Sequence, residues 1–337
     1  MRTDRIVLEA NTAYWDTRRF PRLQRIVFDN TLGQQEAVGL IKSGEGRVDL
    51  LTDLSPLETL RAAQSPFATV VKNRGSLGTI FGRFNMRKAD SPWADMRLRR
   101  AVNYAINRAD LIRYAAKGNG VVIPALLSVD AFGYDPNLKP YPFDPDRAQQ
   151  LIREAGYPDG LAITLISSDD LKVQATVVGK MLERVGFTVD LQILDPTTYN
   201  RKTVFSVLDQ PPEQQAWDIA LTSPIADIVN FPVFLVYHRL ALDGIHDWVN
   251  EQPELRQLYA QVLRTVDRDR QQALIRQMER HTHEHAYFLF LYNPIQLYAV
   301  NKAVAFTPYV TALLNFAETL VTAQHWSVRK QKAGVSE

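Results

Sequence analysis

The chain has no cysteine, which removes thiol nucleophiles, disulfide staples and cysteine-ligated metal centres from consideration. Such a composition suits either side of a bacterial membrane. No apolar run approaches the roughly 20 residues of a membrane-spanning helix. An excess of one charge is also lacking, since 39 Lys and Arg stand against 37 Asp and Glu, a net +2. A nucleic-acid backbone calls for a concentrated basic surface, so this balance argues against such a partner. The basic cluster "RLRR" (Arg97 to Arg100) reads as a solvated helix face. There is no G-x-S-x-G elbow, no G-x-x-x-x-G-K-[ST] phosphate loop and no H-E-x-x-H. The glycines of "GSLGTIFG" (Gly75 to Gly82) have the wrong spacing for a dinucleotide fingerprint and precede no helix. They suit a strand that another part of the chain approaches closely. The opening "MRTDRIVLEANTAYWDTRR" has no apolar core of a secretory signal, and the closing "RKQKAGVSE" reads as a disordered tail.

What is present is a globular composition, 46% hydrophobic and 23% charged over 337 residues, enough for two domains. No internal repeat or low-complexity stretch appears. The first part mixes strands ("DRIVLEA", "RLQRIVFDN", "RVDLLTDL", "FATVVKN", "LGTIFGRFNM") with helices ("QQEAVGLIKSGEG", "PLETLRAAQ"). After Asn85 two helices follow, broken near Asn107. The stretch "YPFDPDRAQQLIREAGYPDG" then encodes a sharply bounded helix. Asp144 is placed to cap it, Pro145 fits the first helical position, and Gly156 suits its end. Ala148, Leu151, Ile152 and Ala155 make one apolar face.

Beyond it the order turns regular. "LAITLIS", "FTVDLQIL" and "AWDIALTS" read as strands, separated by the helices "DLKVQATVVGKMLERVG" and "PTTYNRKTVFSVL". This β-α-β-α-β order predicts a parallel sheet. Two more helices span Glu254 to Val266 and Arg268 to His285, and two strands flank Asn293-Pro294.

Ligands of parallel α/β sheets sit beyond the carboxyl ends of the strands. Here those ends carry "SSDD" (Ser167 to Asp170), "DPTTY" (Asp195 to Tyr199) and "SPIADIVNF" (Ser223 to Phe231). The aromatics Tyr199, Trp217, Phe231, Phe234, Tyr237 and Trp248 crowd the same region, where they serve either a core or a pocket wall. "HTHEH" puts His281 and His285 on one helix face and His283 on another. Such a pair binds zinc or nickel if further ligands join it. With no third ligand at a suitable position, the expectation is a polar helix end that holds no metal.

Five motifs in order carry a resemblance. "FNMRKADSPWADMRLRRAVNYAINRADLI" resembles the hinge-and-helix segment of family 5 extracytoplasmic solute-binding proteins. Phe84, Asn85, Pro92, Asp95, Arg97, Arg99, Ala105, Ile106 and Arg108 match it, while Trp93 and Asn107 depart conservatively. "YPFDPDRAQQLIREAGYPDG", "DRIVLEANTAYW", "AVGLIKSGEGRVDLLTDL" and "WDIALTSPIADIVNFPVFL" are similar to further stretches of that family. The likeness runs from Arg5 to about Val328. It implies an α/β, periplasmic-binding-protein type II-like, two-lobed fold, with lobe one incomplete because the family's usual N-terminal portion is lacking. The expected division is 1–83 with 300–337 as lobe one and 84–299 as lobe two.

The function implied is that of a non-enzymatic, substrate-binding component of an ABC importer for peptides or related small solutes, its ligand held between the lobes. Its partners would be that ligand and membrane permease subunits, with no cofactor, and its place would be extracytoplasmic. Alternatives are the ligand-sensing domain of a cytoplasmic regulator and a truncated, non-binding remnant. The ligand-binding residues implied are Asp227, Ala226, Ile225, Pro224, Ser223, Phe231, Ser167, Gly78, Thr79 and Asn85. In the family's peptide binders a Trp-x-Ala-Asp segment after this strand supplies the acid that holds the ligand's ammonium. Here "PIAD" keeps Ala226 and Asp227 but has Pro224 for the aromatic. By spacing alone, Asp227 equally suits the cap of a following helix.

Overall fold

The computed structural model describes the chain except residues 1–3, 17, 19, 75–77, 206–213, 223–236, 238–246, 250–251, 312 and 333–337. Its strands are β1 (Arg5–Glu9), β2 (Arg25–Asp29), β3 (Leu50–Leu51), β4 (Ala68–Asn73), β5 (Ile80–Phe84), β6 (Gly120–Val122) and β7 (Leu161–Ser168). They continue with β8 (Phe187–Leu194), β9 (Ile219–Thr222), β10 (Phe288–Pro294), β11 (Gln296–Asn301), β12 (Val304–Ala305) and β13 (Leu320–Val321). The chain forms two units, one of Met1–Arg74 with Ile295–Glu337 and the other of Gly75–Pro294. The division expected from sequence at 83/84 and 299/300 therefore differs from the observed one. The difference follows from pairing, because β5 and β10 both hydrogen-bond inside the second unit's sheet.

In the first unit β3, β11 and β4 form an antiparallel sheet, and β1–β2 and β12–β13 form separate antiparallel pairs. Val38, Ile41, Leu54, Ala62, Ala68, Leu297 and Ala299 make its small core. Ser55 caps the helix Pro56–Ala62 by accepting from Glu58 N–H. Apolar Ile6, Val7, Leu8 and Val27 of the β1–β2 pair are exposed. Of the closing stretch 329–337, expected to be disordered, the first four residues belong to a helix Trp326–Lys332, and the last five lie outside the described part.

The second unit is built on a six-stranded sheet in the order β6-β10-β5-β9-β7-β8. β7 pairs parallel with both β8 and β9, as the β-α-β-α-β pattern predicts. The other pairings are antiparallel, so the sheet is mixed. The helix Pro145–Glu154 forms as its letters predict. Asp144 accepts from Arg147 N–H at 2.9 Å, and Ala148, Leu151 and Ile152 are buried. Gly156 has φ +98°, the left-handed conformation that ends such a helix. After Asn200 the expected helix widens, continuing as a π turn over Arg201–Phe205.

The turn "GYPDG" then meets the end of another helix. Gly160 has φ +94°, and a Cβ there would lie 2.3 Å from the carbonyl oxygen of Gly186. That carbonyl accepts from Leu161 N–H and so starts the β7–β8 ladder. Gly160→Ala is expected to lower stability by about 1–3 kcal/mol, through a strained left-handed alanine and a backbone clash. Gly156→Ala, with nothing within 4 Å of its Cβ, should cost less. Urea unfolding of the two variants side by side checks the order.

The "RLRR" cluster is not a solvated face. Arg99 is buried and donates to the carbonyls of Trp93, Ala94 and His285 at 2.6–3.2 Å. Arg100 donates to Glu284 O at 2.7 Å. Only Arg97 pairs in the expected surface manner, with Asp95 at 2.6 Å. These guanidiniums satisfy carbonyls left open at element ends. The close approach expected at "GSLGTIFG" is found at Gly82, whose Cβ would sit 3.0 Å from Leu289 Cβ and 3.3 Å from Ile219 Cγ2.

Candidate functional site

One edge of the six-stranded sheet collects the carboxyl ends of β7, β8 and β9. Ser167 and Ser168 of β7 stand beside Ile193 and Leu194 of β8. Thr222 ends β9 and pairs with Phe81 near the start of β5. Because β5 runs antiparallel to β9, Gly78 and Thr79 also fall on this edge. The end of β10 arrives there too, and Asn293 Nδ2 donates to Gly78 O. The sheet thus brings Ser167, Gly78 and Thr79 together.

Asn85 is not with them. It follows β5 at the opposite edge, roughly five residues and ~17 Å away. Its side-chain amide donates to Gln215 O and Trp217 O, and its Oδ1 accepts from Lys88 N–H at 3.0 Å. Asn85 N–H donates to Asp218 O, while Asp218 Oδ2 accepts from Thr164 N–H at 2.8 Å and Oδ1 from Lys88 Nζ at 3.2 Å. Asn85 is a staple of the turn that follows β5. Ser223, Pro224, Ile225, Ala226, Asp227 and Phe231 lie outside the described residues.

Several hydroxyls at the edge are already engaged. Thr79 Oγ1 donates to Leu126 O at 2.8 Å, Ser167 Oγ to Ser168 O at 3.0 Å, and Ser168 Oγ to Asp170. Asp195 caps the helix Pro196–Asn200 through Thr197 and Thr198 N–H, both at 3.0 Å. Its hydrogen bonds with Thr198 hold this carboxyl below its ordinary range.

Under this edge lies a residue that sequence reasoning missed. Arg83 of β5 is buried, and its guanidinium donates to Thr222 Oγ1 at 2.9 Å, Tyr199 Oη at 3.1 Å and Thr203 O at 3.2 Å. Trp217 and Trp248 pack edge to face, 4.6 Å between ring centres, with Trp248 Nε1 donating to Thr203 O. Tyr199, Trp217, Tyr237 and Trp248 are all buried, which is the core role for these four; Phe231 and Phe234 fall outside the described residues. Through those three bonds Arg83 ties β5 to the end of β9 and to the turn after the helix Pro196–Asn200. The one signal in the sequence was an arginine inside the otherwise apolar "IFGRF".

The histidine cluster differs from expectation in one respect. Glu254, on the first turn of the helix Pro253–Arg264, brings a carboxylate to His281 and His285. A third potential ligand atom, which the sequence did not reveal, therefore lies near the two rings. Burial first, then the charge of His285, lowers the pKa of His281.

The family model described as bacterial extracellular solute-binding proteins, family 5 middle, matches residues 2–241. The chain belongs to solute-binding protein family 5. Members of this family are binding proteins rather than enzymes. The chain is 27% identical over 208 residues to the glutathione-binding protein GsiB of Shigella flexneri, covering 57% of this chain and 37% of that protein. Among solved structures, DppA of Helicobacter pylori in complex with the peptide STSA superposes with a TM-score of 0.76 at 20% identity. That match takes in 94% of this chain and 60% of that one. NikA of Brucella suis in complex with Fe(III)-EDTA matches with a TM-score of 0.78 at 20% identity, over 95% of this chain and 66% of that one. The fold is that of periplasmic binding proteins, and this family 5 chain spans well under two thirds of the curated relatives it matches. Among the described residues no helix is long and apolar enough to cross a membrane.

Proposed function

We propose that this chain is the solute-capturing component of an ABC-type importer, working outside the cytoplasm and delivering a peptide or peptide-like solute to permease subunits. The observation that carries the reading is the edge itself. β7, β8 and β9 end side by side there, Gly78 and Thr79 meet them, and segment 223–231 leaves directly from Thr222. Ligands of α/β sheets bind at such edges. Glutathione, the ligand of one relative, and the peptide STSA bound by another favour a solute with a free ammonium group. Asp227 is the residue proposed to pair with that ammonium in a charge-assisted hydrogen bond, with Ser223, Pro224, Ile225, Ala226 and Phe231 lining its approach. The two units are proposed to be the two lobes of the family fold, and closure on ligand would select the form the permease reads.

A thermal-shift screen of the purified chain against short peptides, glutathione, opines, sugars and nickel chelates tests this. A bound solute stabilises by mass action, so a peptide or glutathione should raise the melting temperature. Asp227→Asn should then weaken that solute by about tenfold or more with unchanged stability. Equal affinity in the variant, with a lower melting temperature, would make Asp227 a helix cap. A screen without any hit would overturn solute capture by this chain.

A further inference from the structure

We propose that Glu254, His281 and His285 form a binding site for a divalent transition-metal ion of the zinc or nickel type, at the opposite edge of the second unit from the candidate solute edge. One potential ligand atom of each residue lies within 4.8 Å of those of the other two. The helices Pro253–Arg264 and Arg268–Glu284 are joined by a three-residue link and pack together. The first turn of one is thereby set beside the last turn of the other. His281 and His285, four residues apart, share a face, and their ring centres are 4.1 Å apart.

The hydrogen bonds prepare both rings as ligands. His285 Nδ1 lies 2.9 Å from His281 O. A carbonyl only accepts, so Nδ1 carries the proton and Nε2 keeps the lone pair that a metal needs. His281 Nδ1 faces Glu254 Oε2 at 3.5 Å, and its Nε2 lies 3.4 Å from Tyr287 Oη. With Nδ1 on the metal, Nε2–H donates to that hydroxyl, the orienting outer bond that metal-bound histidines typically make.

Ligand atoms around a tetrahedral zinc are separated by roughly 3.4 Å, as bond lengths near 2.0–2.1 Å require. The Glu254 side chain is 72% exposed, so it is free to make the short movement that closes the set. Two imidazoles with one carboxylate favour zinc, nickel, cobalt or copper over magnesium or calcium, and they leave a fourth position for water. Arg99, whose guanidinium lies 5.7 Å from the Tyr287 ring centre, opposes a dication, and the Glu254 carboxylate offsets it. Nothing in the solute edge takes part. Tyr287 precedes the start of β10, whereas Asn293, at the candidate edge, lies near its end. An ion here would clip the two helices together where they meet the sheet.

The test is calorimetric titration of the chelator-treated chain with zinc sulfate and, separately, nickel chloride, with the cobalt(II) absorption spectrum as a second readout. The expected result is a single equivalent bound with micromolar affinity, a higher melting temperature, and a cobalt spectrum of a nitrogen–oxygen site. His281→Ala and His285→Ala should each weaken binding by about tenfold or more, and His283→Gln should leave it unchanged. Glu254→Gln, on an exposed side chain, keeps the test open if a histidine variant fails to fold. It should weaken the metal while leaving the metal-free melting temperature alone. Absence of stoichiometric binding by the wild-type chain, or binding that survives the His281→Ala/His285→Ala double variant, would overturn the proposal.

Discussion

Arg108→Met is expected to destabilise the second unit by several kcal/mol, on the order of 2–4, because it leaves buried carbonyl acceptors without a donor. Arg108 is buried, and its guanidinium donates to Phe290 O at 2.7 Å, Asn103 O at 3.1 Å, Tyr141 O at 3.1 Å and Ile106 O at 3.3 Å. A fifth bond reaches Asn103 Oδ1 at 3.0 Å, which also accepts from Phe290 N–H at 3.1 Å. One side chain therefore ties the end of the helix Met96–Ala105, the stretch before the helix Pro145–Glu154, and strand β10. Burial lowers its pKa to about 10, which leaves it charged at neutral pH. Methionine fills much of the volume but supplies no donor, and each carbonyl left dry costs on the order of 1–3 kcal/mol before relaxation. Arg108→Lys should recover only part of the loss, because a point-like ammonium cannot serve a planar fork of acceptors. Urea unfolding checks this, with the midpoint falling and the slope unchanged. A loss below about 1 kcal/mol would show that water replaces the guanidinium and that the network is not a structural tie.

The second large effect is a pH dependence centred on Glu279. This buried carboxyl accepts from Leu127 N–H at 3.1 Å and from the Tyr237 hydroxyl. Desolvation is the main cause that raises its pKa from an ordinary 4.5 to about 7, and Asp135 adds to the rise. Asp135 is itself paired with Arg280 at 2.9 Å. A carboxyl raised on folding holds its proton more tightly in the native state. Its stabilising contribution is fully present below pH 4.5 and is lost as the pH rises through about 7. The integrated loss is about 3 kcal/mol. Glu279→Gln removes the titrating group, so stability curves measured at about pH 5 and about pH 8 should converge in the variant relative to wild type. At the higher pH the variant should match or exceed wild type, since no buried carboxylate is then formed. If wild type and variant show the same pH profile, Glu279 is not the group that titrates.

The helix Pro145–Glu154 was legible because everything that bounds it is local. Asp144 and Pro145 act on the first turn, the apolar face repeats within it, and Gly156 turns the chain out. The parallel strands β7, β8 and β9 were legible for a related reason, since a strand-helix-strand unit closes over a short span of chain. Family membership was legible as well, because five motifs keep their order along the chain. The arginines show where local reading ends. Arg97, Arg99 and Arg100 look alike in "RLRR", yet the carbonyls of Glu284 and His285 that separate them arrive from 184 and 186 residues away.

The candidate site divides in the same way. Sequence alone determined that Ser167 and its neighbours stand at a strand end, because strand direction follows from the alternating order of elements. Only the tertiary structure decided that Gly78 and Thr79 join them while Asn85 lies on the opposite edge, since an antiparallel β5 in the middle of the sheet reverses which of its ends meets β9. Arg83 became part of the edge for the same reason. The Glu254 carboxylate came beside His281 and His285 only when two helices packed side by side. Sequence spacing reports neighbours within one element, whereas hydrogen-bond partners and ligand sets are fixed by which elements the hydrophobic core and the strand register bring into contact.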